Sequence, residues 1–238
     1  MQPPTVTSAR IGDPLSRIDG RAKVTGQARY AAEYPVDGLL HGWVVSGAIA
    51  KGRITTIRDE AARAVPGVVE VITHKNRPHI PWFDQTDAVS DLGSPFRALY
   101  DDRILFSGQP IALVVAETLE TARYAASLVE ADYEADEHNT RLEAALPERF
   151  VPKGKASSLP KSRGDAEAAF AAAPLKIAAE YHLPPHYHNP MELHATTAVW
   201  EGDGRITLHE KTQGPQRTHK KVAAAFGLPA GKLRVLNP

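Results

Sequence analysis

The sequence predicts a mixed α+β fold in two parts. Short β-branched runs alternate with short helical patterns between residues 39 and 134. The polar stretch 135–164 then contains several residues that break regular structure, as linkers do: Pro147, Pro152, Gly154, Pro160 and Gly164. A helical run, a hairpin pattern, a second helix and a final strand follow. We therefore expect an N-terminal arm at 1–16, a first domain at 17–134, a linker at 135–164 and a second domain at 165–238.

In the first domain, strands are predicted at 39–49, 68–73, 104–106, 111–116 and 130–134, and residues 54–57 form a short strand or a turn. The run 111–116 is apolar throughout, which favours burial on both faces. Helices are predicted at 59–65 and 117–129, the second with Thr118 as its N-cap. Residues 74–103 form a long loop, which is either a lid over a substrate channel or a variable connection.

In the second domain, Asp165 is the expected N-cap of a helix at 165–173, followed by a strand at 175–182. Two β-branched runs at 197–200 and 206–209 flank Gly202-Asp203-Gly204, a typical hairpin turn. An amphipathic helix at 216–226 is predicted to end at Gly227, before a last strand at 233–236.

Composition limits the possible partners and compartments. The 28 basic and 28 acidic residues balance, so nucleic acid is not an expected partner. The chain has no cysteine, which excludes disulfides and iron–sulfur ligation by this chain. No signal peptide or membrane-spanning run is evident, so we expect a cytoplasmic protein, or a periplasmic one only if a signal-bearing partner exports it. The arm 1–16 either docks on another subunit or is a loose terminus.

Two stretches are candidates for function. Thr212-Gln213 lies at a predicted strand-to-helix corner, where α/β proteins often present side chains to ligands; alternatively, Gln213 only satisfies loop backbone. The second stretch is rich in potential metal ligands: His182, His186, His188, Glu192 and His194. These side chains form a metal site, a hydrogen-bonded turn near a substrate channel, or a solvated surface, and their spacing matches no well-known zinc pattern.

Four motifs together resemble the molybdenum-binding large subunit of the xanthine dehydrogenase/aldehyde oxidase family. The first is R-I-D-G-R-A-K-V-T-G-Q-A-R-Y from Arg17, and the second joins A-I-A-K-G-R-I-T-T-I to A-V-P-G-V-V-E-V-I-T. The third is S-G-Q-P-I-A-L-V-V-A-E-T-L-E-T-A-R-Y-A-A from Ser107. The fourth joins H-N-P-M-E-L-H-A-T-T-A-V-W-E-G-D from His188 to K-T-Q-G-P-Q. Within that family, the sequence is most similar to bacterial aldehyde oxidoreductase subunits.

The resemblance implies a hammerhead α/β domain followed by the incomplete start of a molybdopterin-binding α+β domain. It implies oxidation of aldehydes or N-heterocycles with water as the oxygen source. The implied cofactor is molybdenum-molybdopterin, often as its cytosine dinucleotide, and electrons leave through [2Fe–2S] and FAD partner subunits. Gln213 matches the residue whose amide lies beside the molybdenum oxo ligand, and Gly214 is expected to contact the cofactor with it. An amide can donate to such an oxygen without adding charge.

Some family features are missing from the sequence. The glycine-rich G-G-G-F-G loop and the glutamate that acts as general base do not occur, and Leu193 replaces the second proline of the usual P-M-E-P-H. We therefore expect a split, frameshifted or fragmentary subunit that is inactive without a polypeptide supplying the C-terminal cofactor domain. The alternative is a non-catalytic remnant or interaction module built on the hammerhead domain. Either way, the second domain is expected to expose sheet edges.

Overall fold

The computed structural model describes residues 11–81, 97–150 and 163–237. The chain divides into two compact units, one of Met1–Glu137 with Glu192–Pro238 and the other of His138–Met191. The mixture of short strands and helices confirms the predicted α+β class. Of the loop predicted at 74–103, residues 82–96 lie outside the described part, as do residues 1–10 of the predicted arm.

The first sheet of the larger unit has β5 at its centre. β5 (Pro110–Ala116) pairs antiparallel with β1 (His41–Ser46) and β3 (Val68–Thr73) on either side. Helix α3 (Leu119–Ala126) packs on β1 and β5, and α2 (Glu60–Arg63) packs beside β3. The fully buried core lies under these helices and includes Ala62, Val71, Val114 and Ala125. The apolar run at 111–116 is thus confirmed as a central strand.

The second sheet places β2 (Gly52–Arg58) between β4 (Arg103–Ile104) and β6 (Glu130–Ala135), antiparallel to both. The ambiguous residues 54–57 therefore belong to a strand. β4 is shorter than predicted because the Gln109 side chain takes the place of a strand partner. Its Oε1 accepts from Leu105 N at 2.8 Å and its Nε2 donates to Arg103 O at 2.6 Å.

The residues before β1 form helix α1 (Gly20–Val24) and a 3₁₀ turn (Ala31–Glu33). Asp-Gly dipeptides usually favour turns, but Asp19-Gly20 begins helix α1 instead. The Asp19 carboxylate pairs with Lys23 one turn later at 2.6 Å.

The third sheet holds the candidate site. β7 (Thr196–Trp200) and β8 (Ile206–Glu210) form the predicted hairpin, and α6 (Pro215–Phe226) then leads to β9 (Leu233–Leu236), which lies parallel to β8. Leu208, Ala223 and Leu233 form the core between helix and sheet. Gly227, at φ 62°, ends α6 as predicted. β7 and β9 are the edges of this sheet as described, and Trp200 is 65% exposed, which confirms the expected open edges.

In the unit His138–Met191, α4 (Leu142–Ala145) is followed by a 3₁₀ turn (Leu146–Glu148) and then α5 (Ala166–Ala172). Asp165 caps α5 as predicted, accepting from Ala168 N at 2.9 Å. The strand predicted at 175–182 is wrong, since these residues join no sheet in the described part of the chain and Leu175 and Ile177 are exposed. Alternating residues favour extended backbone, but a strand also requires a hydrogen-bonded partner. Among the described helices, none has the length and apolarity needed to cross a membrane.

Candidate functional site

Gln213 lies at the corner between β8 and α6. The strand ends at Glu210, and Gly214 is the N-cap residue of the helix, with Pro215 in its first turn. The Gln213 side chain is exposed, and its amide has no hydrogen-bond partner among the described residues. The corner therefore presents a primary amide to its surroundings.

Other side chains hold the backbone of this corner. Asn237 Nδ2 donates to Thr212 O at 2.9 Å, and the hydroxyls of Thr212 and Thr218 lie 2.8 Å apart. Gly214 N donates to Thr212 Oγ1 at 3.3 Å. These bonds tie the corner to both the end of β9 and the first turns of α6, so its backbone is held without any bond from Gln213.

The start of α6 adds donor character to the corner. No side chain caps the helix N-terminus, and its first turn contains no acidic residue. The unpaired N–H groups and the helix dipole favour an oxygen acceptor or an anion at this end. Together with the Gln213 amide, they form a donor set without formal charge, which suits an oxygen-rich ligand better than a bare cation.

A buried contact joins the 3₁₀ turn to the β7–β8 hairpin. Ala31, fully buried in the 3₁₀ turn, donates its N–H to Glu192 Oε1 at 2.8 Å and accepts from Thr197 Oγ1 at 2.8 Å. Close by, the ring of Tyr34 stacks on His209 of β8 with a centroid distance of 3.8 Å. The sequence predicted for Glu192 a metal site, a hydrogen-bonded turn or a solvated surface, but not this contact with Ala31, because no local pattern signals a bond across 161 residues.

The histidine stretch does not assemble a metal site in the described ranges, where no three potential ligands come together. His182, His186 and His188 are exposed in the unit His138–Met191, and His182 Nε2 lies 2.9 Å from Glu180 Oε1. His194 is also exposed, in the larger unit, and the Glu192 carboxylate is engaged by Ala31. The metal-site hypothesis is therefore not supported for these residues.

Comparison with known proteins places both parts of the chain in one family. Residues 25–137 match the a/b hammerhead domain of aldehyde oxidase and xanthine dehydrogenase, and residues 150–238 match a molybdopterin cofactor-binding domain. The chain belongs to the aldehyde oxidase and xanthine dehydrogenase family. The resemblance found in the sequence motifs is thereby confirmed.

Two curated members of this family are similar to the chain over most of its length. The chain is 38% identical over 230 residues to the aldehyde oxidoreductase molybdenum-binding subunit of Escherichia coli K12, covering 96% of this chain and 30% of that protein. It is 33% identical to a putative xanthine dehydrogenase molybdenum-binding subunit of the same strain, covering 93% of this chain and 31% of that one. The chain thus spans about a third of the length of these relatives.

Solved structures show the same fold. The aldehyde oxidoreductase from Desulfovibrio gigas aligns with a TM-score of 0.69 at 25% identity, over 92% of this chain and 26% of that chain. Quinoline 2-oxidoreductase from Pseudomonas putida 86 aligns with a TM-score of 0.74 at 24% identity, over 93% of this chain and 29% of that chain. The architecture is therefore that of the hammerhead domain and the start of the molybdenum-binding region.

Proposed function

We propose that this chain forms the hammerhead domain and part of the cofactor-binding domain of a molybdenum hydroxylase that oxidises aldehydes or N-heterocycles with water as the oxygen source. The observation that carries the proposal is the exposed, unpartnered amide of Gln213 at a corner whose backbone is already held by Thr212 and Asn237. The name of the Escherichia coli relative, an aldehyde oxidoreductase molybdenum-binding subunit, supports the substrate class.

The residues present fit a molybdopterin cofactor. Gln213 offers a neutral N–H donor, and the uncapped start of α6 beyond Gly214 offers backbone donors without a nearby first-turn carboxylate. A bound molybdenum cofactor supplies the two-electron oxidation chemistry. Gln213 would orient and polarise an oxygen acceptor of the cofactor through its amide N–H, and Gly214 would let the backbone approach closely because it has no side chain. Because an amide does not titrate, this contribution is independent of pH.

The domain limits and partners belong to the same proposal. We assign the arm to 1–16, the hammerhead domain to 17–134, the linker to 135–164 and the cofactor-domain start to 165–238. The cofactor would carry a cytosine dinucleotide, and electrons would pass to [2Fe–2S] and FAD subunits in the cytoplasm. The remaining cofactor contacts and the general base would come from the sequence that the relatives carry beyond the matched region, whether in one polypeptide or two.

The test is aldehyde-dependent dye reduction by the assembled enzyme that contains this sequence. Gln213→Ala should lower kcat about 100-fold or more, with a smaller change in KM, because it removes one preorganised donor. Gln216→Ala is the matched control, since Gln216 is an exposed glutamine in the first turn of α6. Wild-type turnover in Gln213→Ala would overturn the role of Gln213. An assembled protein with neither molybdenum nor turnover would favour the interaction module instead.

A further inference from the structure

We propose that Glu192 is a positioning residue that acts on the Gln213 corner through the Ala31 latch, which consists of Ala31, Glu192 and Thr197. Glu192 and Thr197 hold the 3₁₀ turn against the β7–β8 hairpin. The 3₁₀ turn also packs against β8 and so supports the end of the strand that leads to Gln213. The consequence for catalysis rests on the proposed function, whereas the latch itself can be measured without any turnover.

The latch satisfies both backbone groups of one buried residue with two distant side chains. Ala31 is 0% exposed and Thr197 is 5% exposed, so water cannot readily replace either bond. The Ala31 N–H donates to Glu192 Oε1, and Thr197 Oγ1 donates to Ala31 O, each at 2.8 Å. The Glu192 side chain is only 11% exposed. A charge-assisted bond in such surroundings is among the stronger hydrogen bonds in proteins.

The latch reaches β8 by two routes. Thr197 pairs with His209 across the β7–β8 hairpin, and the His209 ring stacks on Tyr34, next to the 3₁₀ turn. Lys211, just beyond β8, lies with its Nζ 4.0 Å from Glu192 Oε2. Gln213 follows two residues later. The 3₁₀ turn therefore contacts β8, which leads into the corner, while Asn237 at the end of β9 bonds the corner itself through Thr212 O.

The latch also joins the two family domains. Ala31 and Tyr34 fall in the region that matches the hammerhead domain, whereas Glu192, Thr197 and His209 fall in the region that matches the molybdopterin cofactor-binding domain. A contact that serves only to pack the turn would have no effect at Gln213. A positioning contact must change the order of the corner when it is broken, and this difference decides the test.

The first experiment measures the latch by amide hydrogen exchange at Ala31. Glu192→Gln keeps an oxygen acceptor without its charge and should speed exchange about tenfold, and Glu192→Ala should speed it more. Thr197→Val should also speed exchange, whereas Thr197→Ser should stay near wild type because it keeps the hydroxyl. Glu201→Gln is the matched control, since Glu201 accepts a bond from Thr207 at the far end of the same hairpin. Unchanged exchange at Ala31 in both Glu192 variants would overturn the latch.

The second experiment measures the effect at the corner. The chain contains no cysteine, so Gln213→Cys provides a single site for a nitroxide spin label. Adding Glu192→Gln, or separately Thr197→Val, should make the label more mobile in its electron paramagnetic resonance spectrum, and Thr197→Ser should not. An unchanged spectrum together with faster exchange at Ala31 would mean that the latch only packs the turn, and the positioning role would be wrong. Neither readout depends on dye reduction, so failure of the proposed function would remain distinguishable.

Discussion

Gly52, at the start of β2, tolerates no side chain in this fold. Its φ is 141°, a backbone region that residues with a Cβ rarely adopt, and it pairs with both Ala135 of β6 and Ile104 of β4. A Cβ at this position would lie 2.1 Å from Glu134 O and 3.0 Å from Ala135 Cα. Both atoms belong to the backbone of the neighbouring strand, so rotation of a side chain cannot relieve the contact.

The cost of Gly52→Ala has two parts. The positive φ contributes about 1–2 kcal/mol. Relieving the clash requires β2 and β6 to separate at this point. The separation weakens the neighbouring hydrogen bonds between the two strands and loosens the packing around the buried Gly52. Together these effects cost a further ~2–3 kcal/mol. We therefore expect the free energy of unfolding to fall by about 3–5 kcal/mol.

Urea unfolding followed by circular dichroism measures this loss. Gly108→Ala is the control, because Gly108 also has a positive φ, 78°, but a Cβ there would meet nothing within 4 Å. It should cost only the backbone part, about 1–2 kcal/mol. Equal losses in the two variants would refute the steric argument, and a Gly52→Ala protein as stable as wild type would refute the placement of β2 against β6.

Two further predictions concern the hammerhead core and its pH dependence. Val71→Ala should lower the free energy of unfolding by about 2 kcal/mol because Val71 is fully buried; Val69→Ala, on the same strand but 53% exposed, should change it by less than ~0.5 kcal/mol. Burial, assisted by the charge of Lys75, lowers the pKa of His74. As the pH falls, His74 therefore takes up a proton in the unfolded chain before it does so in the folded chain. The stability that this pKa difference contributes above pH ~6.5 is lost as the pH falls towards the pKa of folded-state His74. His74→Gln should lose less stability between pH 7.5 and 5 than wild type in urea unfolding, whereas the exposed His186→Gln should match wild type; equal pH slopes in wild type and His74→Gln would contradict the assignment.

The elements that were predicted correctly carry their signals within their own residues. β3 and β9 occur at the predicted residues, and α3 and α6 differ from prediction mainly at their ends. In each of these, β-branched or alanine-rich periodicity coincides with a recognisable cap or turn, such as Thr118 or Gly227. Such signals are visible without knowledge of the tertiary fold.

The elements that were predicted wrongly or missed depend on specific contacts that composition and alternation do not show. The run 175–182 has the alternation of a strand but no paired edge among the described residues. β4 is shortened by the side chain of Gln109 rather than by its own composition. α1 is stabilised by the pairing of Asp19 with Lys23 at a position whose Asp-Gly dipeptide favours a turn.

The candidate site was predictable only in part. The position of Gln213 between a strand and a helix follows from local patterns, and the structure has it at the junction of β8 and α6. The bonds from Thr212 and Asn237 that hold the corner depend on β9 returning beside β8, and the Ala31 latch depends on residues from two domains. These contacts could not be predicted without the tertiary arrangement.

The proposed contribution of this chain to a molybdenum cofactor site can be tested by elemental analysis of molybdenum. The sample is the purified assembly of this sequence with the family sequence that lies beyond its match. We expect close to one molybdenum per copy of the chain in the wild-type assembly, and the Gln216→Ala control should retain it. A folded, fully assembled complex without molybdenum would show that this chain is not part of a molybdenum cofactor site.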